Sequence, residues 1–289
     1  MILRAFALVA ALLLLQPPAA QARCGAPASI GDGWAISETA ATGLDAERLC
    51  AMVDRFAADA EANVHGIVIA RHGALAFEQY FAGNDQRWGW PIGRVEYGPE
   101  KRHDLRSVSK SVTSLLVGIA IDRGLVAGVE ESVLGFFPEH AELRSAEKER
   151  IRLRDLLTMS MGLAWDERRP YTDPENSEIR MIRSRDPFRF VLEQPVVLEA
   201  GKSFNYSGGA TALLGAIVER ATGEKLEAFA RKSLFEPLDI QDFEWVLMPN
   251  GRATTGSRTR GWFRDRAAPA LTPPAISTRR RAGPSMSRP

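Results

Sequence analysis

Between Ser107 and Gly124 the chain carries one helix-length apolar pattern, and the residues that open it restrict both fold and chemistry. Val108, Val112, Leu115, Leu116 and Ile119 recur at helical spacing, and Gly124 is placed to end the helix. Ser107-Val108-Ser109-Lys110 stands at its start. On a helix, residues three apart share a face, roughly 5–6 Å apart at Cβ. A lysine amine at that spacing can reach the serine oxygen, and a serine hydroxyl needs such a partner to become a nucleophile at neutral pH. The positive end of the helix dipole further favours negative charge developing on that oxygen. The plainer reading makes Ser107 a helix N-cap and Lys110 a solvated first-turn residue, although a lysine there opposes the dipole.

Context separates this serine-lysine pair from a second one. Ser145-Ala146-Glu147-Lys148 has the same spacing, but it lies in the charged run Glu142 to Arg150 with no apolar stripe after it, and reads as solvated surface.

Around the Ser107 helix the chain divides into readable segments. Asp45 to Ala60 reads as a helix with Leu49, Met52, Val53 and Phe56 on one face. Ile67–Ala70 and Leu75–Phe81 read as two strands joined at His72-Gly73. Asn84 to Asp104, with Trp88, Trp90, Pro91 and Pro99, reads as irregular. After Gly124 helices dominate: a short one from Arg154 towards Gly162, then Pro187–Gln194, Thr211–Ala221 closed by Gly223, and Leu226–Phe235. Trp165 to Glu178 is a polar loop fit to rim a site, and Gly201 to Gly209 a second loop.

Residues 1–22 have the layout of an export signal: Arg4, an apolar run from Ala5 to Leu15 too short to span a bilayer, and Ala20-Gln21-Ala22 as a cleavage site. The expectation is cleavage after Ala22, a periplasmic or secreted protein and no stable membrane anchor. The chain has 2 cysteines, Cys24 and Cys50, which either pair in an oxidising compartment or stay as thiols. Neither has a C-x-x-C or histidine partner nearby, so no metal site and no cofactor are expected. A net charge of +1 on 289 residues gives no electrostatic case for nucleic acid as a partner.

From Gly251 the composition changes: nine arginines, no lysine and Asp265 as the single acid. Residues 251–289 read as a disordered or off-frame basic tail, leaving 23–250 as an incomplete catalytic domain.

A third candidate lies on the loop before the Thr211 helix. In Phe204-Asn205-Tyr206-Ser207-Gly208-Gly209 the tyrosine is placed to point into a cleft, where a phenol beside an ammonium can act as a base. The alternative is a packing aromatic whose hydroxyl caps a backbone group.

Taken together, the runs Leu105 to Leu116, Phe137-Pro138, Leu156 to Leu163 and Phe204 to Gly209 resemble the class C β-lactamase-like, penicillin-binding-protein-like serine hydrolases over roughly residues 45–248. The wording around Ser107 is most similar to the aminohexanoate-oligomer hydrolase branch. The resemblance implies an α+β, β-lactamase/transpeptidase-like fold, an antiparallel sheet plus a largely helical domain, with the C-terminal strands missing. It implies Ser107 as the acylated nucleophile, Lys110 as its proton acceptor and Tyr206 as general base, acting on a small-molecule or peptide-like amide or ester. Gly208 stands where the Y-x-N form of the motif has asparagine, which argues against β-lactamase activity and makes Gly208 a substrate-facing position. Met159 and Met161 replace histidine and serine in a structural run. Tyr171 and Asp173 lie in a loop that could touch substrate.

The family's third motif, K-T-G or H-x-G, does not occur, and none of the four histidines (His65, His72, His103, His140) follows Tyr206. That motif supplies an oxyanion-hole N–H, and losing one such donor typically costs about 10²–10³ in rate. No G-x-S-x-G, H-E-x-x-H, P-loop or G-x-G-x-x-G pattern is present. Two functions therefore compete: an exported serine hydrolase working through an acyl-enzyme on Ser107, and a non-catalytic remnant that binds a peptide-like ligand.

Overall fold

The computed structural model describes residues 25–87, 90–246 and 259–261, with Arg87 and residues 259–261 described by backbone alone. Residues 1–22, where an export signal is expected, Cys24 and most of residues 251–289 lie outside the described residues.

Strand β1 (Ala35–Ile36) precedes helix α1 (Ala46–Ala58), which starts where the Asp45 carboxylate accepts the Arg48 N–H at 3.0 Å. β2 (Gly66–Arg71) and β3 (Ala74–Tyr80) form the expected antiparallel hairpin. His72 and Gly73 both take positive φ, 54° and 77°, as a tight two-residue hairpin turn requires. β1 adds to β3 in parallel, so β2 is an edge of this sheet among the described residues.

The stretch read as irregular contains a second hairpin, β4 (Gly83–Arg87) with β5 (Trp90–Val95), and strand β6 (His103–Asp104). Pro91 and Gly93 disguise it in the sequence. Both fall where the register shifts between Asp85 and Gln86, and a bulge is where a strand tolerates proline.

Helix α2 (Val108–Asp122) follows, and Gly124 ends it with φ 71°. Its buried face differs from the apolar stripe of the sequence. Ser109, Lys110, Thr113, Leu116, Val117 and Ala120 point inward, while Val108 is 58% and Leu115 55% exposed. The stripe is only partly turned outward: Leu116 is in the core, and Val112 and Ile119 pack against it. Thr113 meets the cost of its burial by donating to the Ser109 carbonyl at 3.2 Å.

Single 3₁₀ turns, not long helices, carry the chain from Val133 to Arg150. Then come α3 (Leu153–Leu157), α4 (Ser177–Arg183), α5 (Pro187–Leu192), α6 (Gly208–Thr222) and α7 (Leu226–Ala230), which runs on as one π-helical turn to Phe235. Every residue of α6 from Gly208 to Val218 is buried, so this helix is the axis of the helical half. Leu213 and Ile217 of α6 pack with Leu116, Leu153, Leu156, Val191 and Phe229 in the main core.

The C-terminal part is not wholly without strands. β7 (Glu244–Trp245) and β8 (Thr259–Gly261) form a small antiparallel sheet with β6, in the order β6-β8-β7. Among the described residues strand pairing is thus divided among three small sheets, where the sequence suggested one antiparallel sheet. No helix among the described residues is long and apolar enough to cross a membrane.

Candidate active site

Ser107 sits at the hinge between strand and helix. Arg106 takes a left-handed backbone, φ 49°, a conformation that costs a non-glycine residue roughly 1–2 kcal/mol. The Asp104 carboxylate offsets part of that by accepting the Arg106 N–H at 3.1 Å. The turn leaves Ser107 exposed at the mouth of α2. Ser107 occupies the N-cap position, yet its side chain makes no capping hydrogen bond. Its Oγ instead meets two other groups.

Lys110 Nζ donates to Ser107 Oγ at 3.3 Å, and the Tyr206 hydroxyl donates to the same oxygen at 2.6 Å. The ammonium lies 4.9 Å from the centroid of the Tyr206 ring, within cation–π range. Lys110 is 9% exposed, so it is no solvated first-turn residue. The second serine-lysine pair behaves otherwise: Ser145 Oγ accepts the backbone N–H of Lys148, and Lys148 Nζ donates to the Leu192 carbonyl at 2.5 Å.

Tyr206 is aimed by its neighbours. Asn205 donates its backbone N–H to the Met159 carbonyl at 2.7 Å and its side-chain amide to the Trp165 carbonyl at 3.1 Å. Ser207 then caps α6 by accepting the Ala210 N–H. With residues on both sides fixed, the phenol projects towards Ser107. The Leu156–Leu163 run forms the support. Gly162 has φ 78°, and a Cβ there would lie 2.2 Å from the Leu198 carbonyl oxygen, so glycine alone fits. The Gly162 carbonyl accepts the Val197 and Leu198 N–H groups. Met159 and Met161 therefore belong to a structural run.

Ser107 and Tyr171 both line a cavity of about 560 Å³, together with Asn63, His65, Asp85 and His103. The Tyr171 hydroxyl donates to Glu167 Oε1 at 2.8 Å. Burial, then the Glu167 and Glu178 carboxylates, push its phenol well above the usual tyrosine range, so it stays a neutral donor. Asp173 pairs with Arg169 and accepts the Glu175 N–H within its own loop. Gly208 is buried and donates its N–H to Glu167 Oε2 at 2.6 Å; it is not among the residues lining this cavity. A Cβ at Gly208 would meet Glu178 Cδ at 2.9 Å and Glu167 Oε2 at 3.2 Å, so these two acids fill the space an asparagine side chain would take.

His65, Asp85 and His103 form a cluster that sequence reasoning missed. They come from the approach to β2, from β4 and from β6, with no local spacing to betray them. The one available signal was that three of the four histidines precede Ser107 in a segment otherwise poor in chemistry.

A helical half built on α6 carries Ser107, Lys110 and Tyr206 converging at its edge. The sequence profile of the Beta-lactamase family matches residues 51–285, and the chain belongs to that family. It is 27% identical over 217 residues to esterase EstB of Burkholderia gladioli, covering 70% of this chain and 53% of that protein. Among solved structures it resembles EstCE1, a hydrolase with promiscuous acyltransferase activity (TM-score 0.55, 20% identity, 72% of this chain and 67% of that one). It also resembles the octameric penicillin-binding protein homologue from Pyrococcus abyssi (TM-score 0.53, 20% identity, 76% and 54%). The chain spans about half the length of esterase EstB and less of the other curated relatives it matches.

Proposed function

We propose that this protein is an exported serine hydrolase that cleaves an ester or amide through an acyl-enzyme on Ser107. The convergence of Lys110 and Tyr206 on one serine oxygen carries this reading. In the resting site both groups donate to Oγ. For attack, the amine or the phenol first gives up its own proton to solvent, and the neutral amine or phenolate then takes the serine proton, which makes Oγ a nucleophile. Oγ then bonds to the substrate carbonyl carbon. As the tetrahedral intermediate collapses, the proton passes to the leaving alcohol or amine, and the acyl group stays on Ser107. A water, deprotonated by the same relay, attacks the ester and frees the acid and the serine.

The likeness to esterase EstB favours ester substrates, and the carboxylates facing Gly208 argue against β-lactams. Export is supported by the sequence layout of residues 1–22, a charged start, a short apolar run and Ala20-Gln21-Ala22. A labelled fluorophosphonate is the test. It should modify wild-type protein at Ser107, located by peptide mass mapping, and leave Ser107→Ala unmodified; equal labelling of both rejects the assignment. One second reading, a binding protein without turnover, is favoured by Lys110 and Tyr206 both standing as donors to Oγ. Ligand-dependent thermal stabilisation without labelling or hydrolysis would identify it.

A further inference from the structure

We propose that His65, Asp85 and His103 bind a divalent transition-metal ion of the zinc class in the wall of the Ser107 cavity. The proposal begins with proton placement. His65 Nε2 lies 3.2 Å from the Asn84 carbonyl oxygen, and His103 Nδ1 lies 3.0 Å from the Asp104 carbonyl oxygen. A carbonyl only accepts, so each of these outer nitrogens carries the ring's N–H. In neutral rings the two inner nitrogens, His65 Nδ1 and His103 Nε2, then present lone pairs to each other at 2.8 Å. Two lone pairs at that distance repel unless a cation lies between or beside them.

The surroundings are those of a metal site. One donor atom from each of the three residues lies within 4.8 Å of the other two. Ligands at about 2.0–2.2 Å from one zinc ion sit roughly 3.4 Å apart in a tetrahedron. Small side-chain rotations that separate the imidazoles and draw in the carboxylate would reach that geometry. Two imidazoles and a carboxylate suit zinc and its neighbours better than calcium or magnesium. The outer shell is in place as well: each imidazole meets a backbone carbonyl, and the Tyr97 hydroxyl donates to Asp85 Oδ2 at 2.7 Å. The Tyr97 ring stacks on His65 at 4.4 Å between centroids and lies 5.0 Å from His103. Gly83 leaves room for the His65 ring, since a Cβ there would lie 2.4 Å from His65 Cδ2. Three protein ligands leave a coordination position for water or for an oxygen of a molecule in the cavity.

The test uses the full chain, stripped with a chelator and titrated with Zn²⁺ by calorimetry, and with Co²⁺ by visible absorption. The expected result is one Zn²⁺ per chain and a cobalt d–d spectrum of low coordination number. His65→Ala and His103→Ala should each weaken binding by about tenfold or more, while His72→Ala binds as wild type. Absence of Zn²⁺ uptake by the wild type, or equal uptake by His65→Ala and His103→Ala, overturns the proposal. A second measurement needs no variant. In histidine-labelled wild-type protein, Zn²⁺ should shift the ring resonances of His65 and His103. If those of His72 or His140 shift instead, or if the two inner nitrogens share a proton at neutral pH that Zn²⁺ does not displace, the proposal fails.

Discussion

Tyr206→Phe separates catalysis from packing at this site. The substitution removes one oxygen and keeps the ring, so the 4.9 Å approach of the Lys110 ammonium to the ring centroid survives. What is lost is the 2.6 Å hydrogen bond to Ser107 Oγ. As a structural bond at an exposed site it is worth about 0.5–1.5 kcal/mol, a Tm change of no more than a few degrees for a domain of this size. As a proton relay it is worth about 10²–10⁴ in rate, or about 3–5 kcal/mol at 1.4 kcal/mol per tenfold. The assay is the second-order rate of fluorophosphonate labelling, which reports attack by Oγ without requiring turnover. Labelling should slow by at least about a hundredfold while the melting curve barely moves. Lys110→Ala should cost a similar factor, and the double variant little more than the worse single, because the two groups serve one proton. A Tyr206→Phe protein labelled within about threefold of wild type would refute the relay, since a general base contributes far more than that.

Three further changes probe the frame of the site. Gly162→Ala forces a Cβ towards the Leu198 carbonyl oxygen and strains a positive φ, so chemical denaturation should show a loss of about 1–3 kcal/mol or more; an unchanged midpoint would mean the 195–201 segment moves freely. Leu213→Ala empties a fully buried position on α6 and should cost about 2–5 kcal/mol by the same measurement. Asp173 is held below its ordinary value of 3.8 by the Glu175 N–H and then by Arg169. Its contribution is present above that value and lost as pH falls through the lower folded-state one. Asp173→Asn should therefore melt earlier than wild type at pH near 7, and the gap should close below about pH 3.8; a gap independent of pH would contradict this.

The contact between Ser107 and Lys110 was legible in the sequence, because residues three apart on a helix share a face. The approach of Tyr206, 99 positions away, was legible only through the family resemblance of the Phe204–Gly209 run. The helix boundaries at Gly124 and Gly223 were legible, since both glycines take the left-handed conformation that ends a helix. Rotation about a helix axis was not. Val108 and Leu115 of the apolar stripe face solvent while Ser109, Lys110 and Thr113 lie inward beside Leu116, a rotation that periodicity alone does not settle. The β4–β5 hairpin was hidden because its bulge admits proline and glycine, the residues that ordinarily signal its absence. The imidazole cluster was hidden more deeply, since it depends on strands bringing together residues 38 positions apart.

The paired carboxylates beneath Gly208 bear on how this scaffold could diversify. Restoring an asparagine there is a single codon's step on paper, but its first carbon would collide with Glu178 Cδ, and Glu178 is only 2% exposed. Exchanging Glu178 first would remove one wall of that obstruction, and Glu167, tied to Trp165, Tyr171 and the Gly208 amide, would still have to give way. Positions 167, 178 and 208 are thus coupled: a side chain at 208 needs both carboxylates to move or change.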